Sequence, residues 1–163
     1  MDIQRVSDTS FKIKGKNASF VFNPDKKIDE EIIILTKKAS DFSQYAGKIV
    51  IDSPGEYEAA GMSIKGDGND KGIVYTLIEE NQKAVVLSSP SVFDSGDVED
   101  AGCVVTFLDP EKPEDLSKIT ADVLAVVGPE SSLPSDKSNV RKADKISLKK
   151  TDEYKGSIIH LSK

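Results

Sequence analysis

Short runs of β-branched and aromatic residues, cut at close intervals by Gly, Asn, Asp and Lys, constrain the fold of this chain more than any other feature. Phe11-Lys12-Ile13 and Ser19-Phe20-Val21-Phe22 flank Gly15-Lys16-Asn17, which predicts an opening hairpin. Residues 32–35 and 49–51 are unbroken apolar runs, the pattern of strands buried on both faces, and 40–46 between them suits a short helix. Strands over 56–60 and 62–65 follow the turn signal Ser53-Pro54-Gly55, and 73–78 is set to pair with 84–87. In the second half, 92–101 predicts a helix weakened by Gly96, and 103–108 a strand. Asp109-Pro110 supplies an N-cap and first-turn proline for a helix through 119. Residues 123–127 form another buried strand ended by Gly128-Pro129, and the Ser/Pro-rich 131–138 reads as a mobile loop. Residues 146–148 and 157–161 close the pattern as strands.

With 163 residues, no internal repeat and no linker, the expectation is one domain spanning 1–163. No apolar run approaches the ~20 residues of a membrane span, and Met1-Asp2-Ile3-Gln4-Arg5 has no signal-peptide core. The single cysteine, Cys103, excludes an internal disulfide and suits a reducing, cytoplasmic setting; beside Val104, Val105 and Phe107 it reads as a core residue. A net charge of −6 argues against nucleic-acid and anionic-membrane binding. The charge is uneven: 93–122 is acidic and 137–150 basic. That leaves two solvated faces, complementarity between copies, or an anion site on the basic segment as alternatives.

At Ile32-Ile33-Ile34-Leu35-Thr36-Lys37-Lys38-Ala39-Ser40-Asp41-Phe42 the sequence resembles the strand and metal loop of the metallo-β-lactamase superfamily, where an apolar strand runs into Thr-His-x-His-x-Asp-His. Thr36 and Asp41 stand at matching positions, while the histidine positions read Lys37, Ala39 and Phe42. Ser10-Phe11-Lys12-Ile13, Phe22-Asn23-Pro24 (asparagine in place of aspartate) and Pro54-Gly55-Glu56-Tyr57-Glu58 resemble further segments of the small branch similar to ascorbate-6-phosphate lactonase. Where that branch continues His-Leu-Gly-Asp, this chain reads Val86-Leu87-Ser88-Ser89, so Val86 and Ser89 replace a histidine and a bridging aspartate. The final histidine position, after the strand at 145–148, falls at Lys149. The resemblance implies an α/β, αββα sandwich, rich in β-structure with short peripheral helices. It also implies a lost metal site: the family's dinuclear zinc takes about five histidines, and this chain has only His160.

Other chemistry has thin support in the sequence. Asp52, Glu56 and Glu58 share one face of a regular strand, either as a carboxylate cluster or as a charged strand edge that discourages edge-to-edge pairing. Asp41 is suited to capping the short helix or bonding loop amides. His160, alternating with apolar neighbours and without a partner nearby in sequence, reads as a terminal-strand residue. Gly66 to Gly72 fits neither a phosphate loop nor a calcium loop, and Ser88-Ser89-Pro90-Ser91 is no nucleophile elbow; all read as turns.

The expectation is a metallo-β-lactamase-like fold without its zinc site or any cofactor: a pseudoenzyme that binds a partner protein, a second copy, or a small ligand in the old cleft. The alternative is an enzyme with replaced, zinc-independent chemistry built on Asp41, Asp52, Glu56 or the lysines. On the first reading Lys37 takes the place of a metal ligand and is placed to neutralise surviving carboxylates such as Asp41.

Overall fold

Fourteen strands form two mixed sheets around a shared core in the computed structural model, which describes residues 1–162. The six-stranded sheet contains β1 (Asp2–Arg5), β2 (Phe11–Lys14), β3 (Ser19–Phe22), β4 (Ile32–Ile34), β5 (Ile49–Ile51) and β13 (Lys145–Ser147), in the order β13-β1-β2-β3-β4-β5. The eight-stranded sheet contains β6 (Gly55–Ala59), β7 (Met62–Asn69), β8 (Gly72–Glu79), β9 (Gln82–Leu87), β10 (Cys103–Phe107), β11 (Val123–Val127), β12 (Val140–Ala143) and β14 (Ser157–Leu161). Its order is β12-β14-β11-β10-β9-β8-β7-β6.

Alternation along each strand creates the sandwich. Ile3, Phe11, Ile13, Phe20 and Ile34 point from the first sheet into one cluster with Ile64, Tyr75, Leu77, Val86 and Val105 from the second. Phe22 joins them, lying edge-on to Tyr75 at 6.3 Å, and Phe11 meets Phe107 at 5.4 Å across the same interface. Each such fully buried aromatic stabilises the fold by about 2–3 kcal/mol relative to exposure. The opening hairpin pairs Phe11 with Phe22 and Lys14 with Ser19, and the 73–78/84–87 pairing is antiparallel as expected.

The outer layers depart from the expected helices. Residues 92–101 form no α-helix: 3-10 turns at Pro90–Val92 and Ser95–Val98 stand there, Asp94 accepting the Gly96 N–H at 3.1 Å in competition with helical bonding. The segment 109–119 is irregular, because Pro113 removes an N–H and disfavours the helical conformation of Lys112. Asp109 and Asp115 instead accept the Glu111 and Ser117 N–H groups at 2.9 and 3.0 Å. Val92, Val98, Leu116, Ile119 and Leu133 still bury against the outer face of the eight-stranded sheet, so irregular chain covers the sheet where helices were expected. The 131–138 loop is anchored at its start, where Ser132 and Leu133 are buried.

β5 is the edge of its sheet, which leaves Ile49 54% exposed in a run read as buried on both faces. The expected helix at 40–46 is a single 3-10 turn, Ser43–Tyr45. No helix among the described residues is long and apolar enough to cross a membrane.

Candidate functional site

β1, β3 and β4 run in the same direction, as the antiparallel pairs β1–β2 and β2–β3 and the parallel pair β3–β4 require. β9, β10 and β11 are likewise parallel to one another. The segments that follow β3, β4, β9 and β10 meet at one end of the sandwich around a cleft of about 650 Å³, a size that admits a small molecule.

The six-stranded sheet brings Asn23, Thr36 and Lys37 to the cleft. Asn23 has φ +45°, a left-handed conformation that asparagine tolerates better than most residues. From there its Nδ2 donates to Thr36 Oγ1 and its Oδ1 accepts the Thr36 N–H, both at 2.9 Å, fixing the start of the loop that leaves β4. One residue earlier, the Tyr75 hydroxyl donates to the Leu35 carbonyl at 3.1 Å and ties that loop to the other sheet. Burial, then Tyr57 and Asp52, raise the Tyr75 pKa above its ordinary value, so the phenol stays a donor.

The eight-stranded sheet contributes Lys71, Ser88, Ser89 and Ser91. Asn69 Oδ1 accepts the N–H groups of Lys71 and Gly72 at 2.8 and 3.2 Å, shaping the β7–β8 hairpin tip. Gly72, at φ +147°, lies so close to Ser88 that an added Cβ would come within 2.2 Å of its Oγ. Ser88 Oγ accepts the Ile73 N–H at 3.0 Å, and the Ser89 and Ser91 hydroxyls lie 2.8 Å apart.

Of the residues singled out as degenerate ligand positions, Thr36, Lys37 and Ser89 meet at the cleft and the others do not. Ala39 packs on Ile33, Leu35 and Tyr45 on the outer face of the six-stranded sheet. Asp41 accepts the Ser43 N–H and hydroxyl, each at 2.8 Å, and these bonds hold its pKa below the usual value. No ion pair joins Lys37 to Asp41 among the described residues, so the expected neutralisation is corrected: Asp41 is engaged by Ser43. Phe42 is 44% exposed away from the cleft lining. Val86 is wholly buried between the sheets. Lys149 lines a second cleft, because β13 runs antiparallel to β1 and carries its C-terminal end away from the first.

The carboxylate alignment fails too. β5 ends at Ile51 in one sheet and β6 begins at Gly55 in the other, so Asp52 sits in the crossover while Glu56 and Glu58 are exposed on β6. Asp52 Oδ2 is buried without a hydrogen-bond partner among the described residues. His160 is buried, its Nε2 donating to the Gly128 carbonyl at 2.8 Å. Burial pushes the Cys103 thiol up to about 12, which leaves it no nucleophile. The basic 137–150 segment is compensated in part: Lys137 and Lys142 pair with Glu130 and Lys145 with Asp2, while Arg141 donates to the Glu153 carbonyl. Sequence reasoning missed Lys71 and Ser88 as cleft residues; the Asn69-Asp70-Lys71-Gly72 turn was the available signal, since it marks a hairpin tip carrying a cation.

The groups facing the cleft do not fit zinc. They are hydroxyls, an amide, ammonium groups and two carboxylates, Asp109, which lies 3.7 Å from Lys112, and Glu114, with no histidine or cysteine beside them. No three His, Cys, Asp or Glu side chains come together to hold a metal ion among the described residues.

Fold and cleft position define a class: this is the metallo-β-lactamase fold. The chain superposes on a superfamily protein of Thermotoga maritima, described as a candidate Zn-dependent hydrolase, with a TM-score of 0.68 at 16% identity and 98% coverage of both chains. It is also similar to the metallo-β-lactamase fold protein YhfI from Bacillus subtilis (TM-score 0.53, 8% identity, covering 94% of this chain and 88% of that one). Zn²⁺-bound PqqB from Methylobacterium extorquens gives a TM-score of 0.51 at 8% identity, over 77% of this chain and 76% of that one. No protein-family model and no curated protein sequence matches the chain.

Proposed function

We propose that this chain is a degenerate relative of the metallo-β-lactamase superfamily, a non-catalytic binding module whose binding site is the cleft at the ends of β3, β4, β9 and β10. One observation carries the reading. The loops after β4 and β9, which meet at the cleft, present Thr36, Lys37, Ser88 and Ser89 and no zinc donor set. Replaced acid–base chemistry is poorly served, because Asp41, Asp52 and the Glu56–Glu58 pair lie in three separate places. A small ligand is favoured over a second copy because Lys137, Lys142 and Lys145 of the basic segment that self-association would use are already paired internally.

The test is a fragment screen read by backbone amide shifts, run beside sedimentation of the free protein. Saturable shifts clustered at Asn23, Thr36, Ser88 and Ser89 are expected. A dimer whose contact surface covers these loops, or fragments that bind only elsewhere, would replace this reading with self-association or another site.

A further inference from the structure

Resting on the binding reading above, the geometry points to a small oxyanion, a carboxylate or phosphate carried on a small molecule, as the ligand class of this cleft. The argument is an inventory of donors and acceptors.

On the Asn23 side chain, Oδ1 is taken by the Thr36 N–H, and Nδ2 spends one hydrogen on Thr36 Oγ1 and keeps a second. Thr36 Oγ1 is occupied as an acceptor, and its own hydrogen has no acceptor among the described residues. Ser88 repeats the arrangement: its oxygen accepts from Ile73 N and its hydrogen is left over. Ser89 and Ser91 share one hydrogen bond, so one hydroxyl hydrogen of the two remains. Four neutral donor hydrogens therefore remain on side chains that line the cleft, each beside an oxygen that already accepts one hydrogen bond.

Two cations complete the set. Lys37 leaves β4 in one sheet and Lys71 stands at the hairpin tip of the other; both are exposed, line the cleft, and have no ion pair among the described residues. The lining carboxylates do not cancel them. Asp109 is matched by Lys112, and Glu114 is a single carboxylate against the two lysines. A neutral polyol brings donors of its own and no charge to answer Lys37 and Lys71, whereas an oxyanion accepts from several donors at once and gains from charge-assisted bonds.

Calorimetry and amide shifts of the full chain, with inorganic phosphate, succinate and uncharged glycerol as probes, decide the matter. Phosphate or succinate should bind saturably, shifting Asn23, Thr36, Ser88 and Lys71, and the tighter of the two identifies the anion. Lys37→Gln with Lys71→Gln should weaken that binding about tenfold or more, and both positions are exposed, so folding is spared. Asn23→Asp is a second probe. Aspartate also tolerates the left-handed backbone and can take both the Thr36 N–H and hydroxyl hydrogens, so the loop holds while the site loses donors and gains a negative charge. It should fold normally and bind the anion at least about tenfold more weakly. Anion binding unchanged by these substitutions, or shifts confined to the Lys149 cleft, would overturn the assignment. Glycerol shifting the same amides while both anions fail would also overturn it, yet leave the binding reading standing. Silence of all three probes at the cleft would overturn the anion assignment, and the broader fragment screen then decides the binding reading separately.

Discussion

The two ends of the sandwich both gather lysines, and the difference lies in what answers them. At the far end, Lys14, Lys16 and Lys149 line a cleft of about 490 Å³ together with Asp2, Glu79 and Glu80. There Lys16 lies 3.7 Å from Glu80 and offers its backbone N–H to Glu79 at 2.8 Å, while Lys145 holds Asp2 at 2.8 Å. At the other end Lys37 and Lys71 share their cleft with hydroxyls, an amide, Glu114 and an Asp109 that pairs with Lys112. A lysine count alone would rank the ends alike; partner accounting separates them. Among lysines and carboxylates the near cleft sets three against two and the far cleft three against three, and on the proposed binding reading an anion would meet the near end's excess.

The sharpest structural way to break this comparison is Gly72→Ala. The new Cβ meets Ser88 Oγ at 2.2 Å and Val92 at 2.9 Å from a left-handed φ, so stability should fall by about 2–3 kcal/mol in denaturant unfolding. Smaller but more specific, Lys37→Glu with Lys71→Glu should lower phosphate affinity by more than about tenfold. The matched far-end pair, Lys14→Glu with Lys149→Glu, should change it less than about twofold, as titration calorimetry would record. Equal losses at the two ends would mean that net charge, and not the cleft, governs binding.

Tyr75→Phe removes the hydroxyl bonded to the Leu35 carbonyl and should cost about 1 kcal/mol, with amide exchange rising at Thr36 and Lys37. The smallest effect is expected at the partly buried Lys12–Glu30 pair, 2.8 Å apart on the outer side of the six-stranded sheet. The Lys12 hydrogen bond holds the Glu30 carboxyl below its ordinary value of 4.5. Its contribution is complete above that value and lost as pH falls through the lower folded one. Glu30→Gln should therefore cost about 0.5–1 kcal/mol at neutral pH and converge with the parent in acid unfolding profiles.

Strand existence was legible because β2, β3, β8, β9, β10 and β11 bury whole faces, and burial writes itself into apolar runs and alternation. β12 was not: Val140-Arg141-Lys142-Ala143 is an edge strand with Arg141 and Lys142 exposed, and it shows no apolar alternation. β1 was missed for a similar reason, with Asp2, Gln4 and Arg5 leaving only Ile3 fully buried. The helix over 109–119 was overread because the Asp-Pro start outweighed Pro113 inside it. At the site, the substitutions at Lys37 and Ser89 could be seen one residue at a time. Placing Lys149 required the direction of β13, and placing Lys71 required knowing that the β7–β8 hairpin reaches the same end as Thr36. Those are facts of tertiary topology, which local pattern does not encode.

The most direct test of the central claim, that this end of the fold has exchanged metal ligation for binding, is the metal content of protein purified without a histidine tag, joined to zinc titration calorimetry. The account predicts no stoichiometric zinc and no saturable heat. One tightly bound zinc per chain would contradict it and return the cleft to metal chemistry.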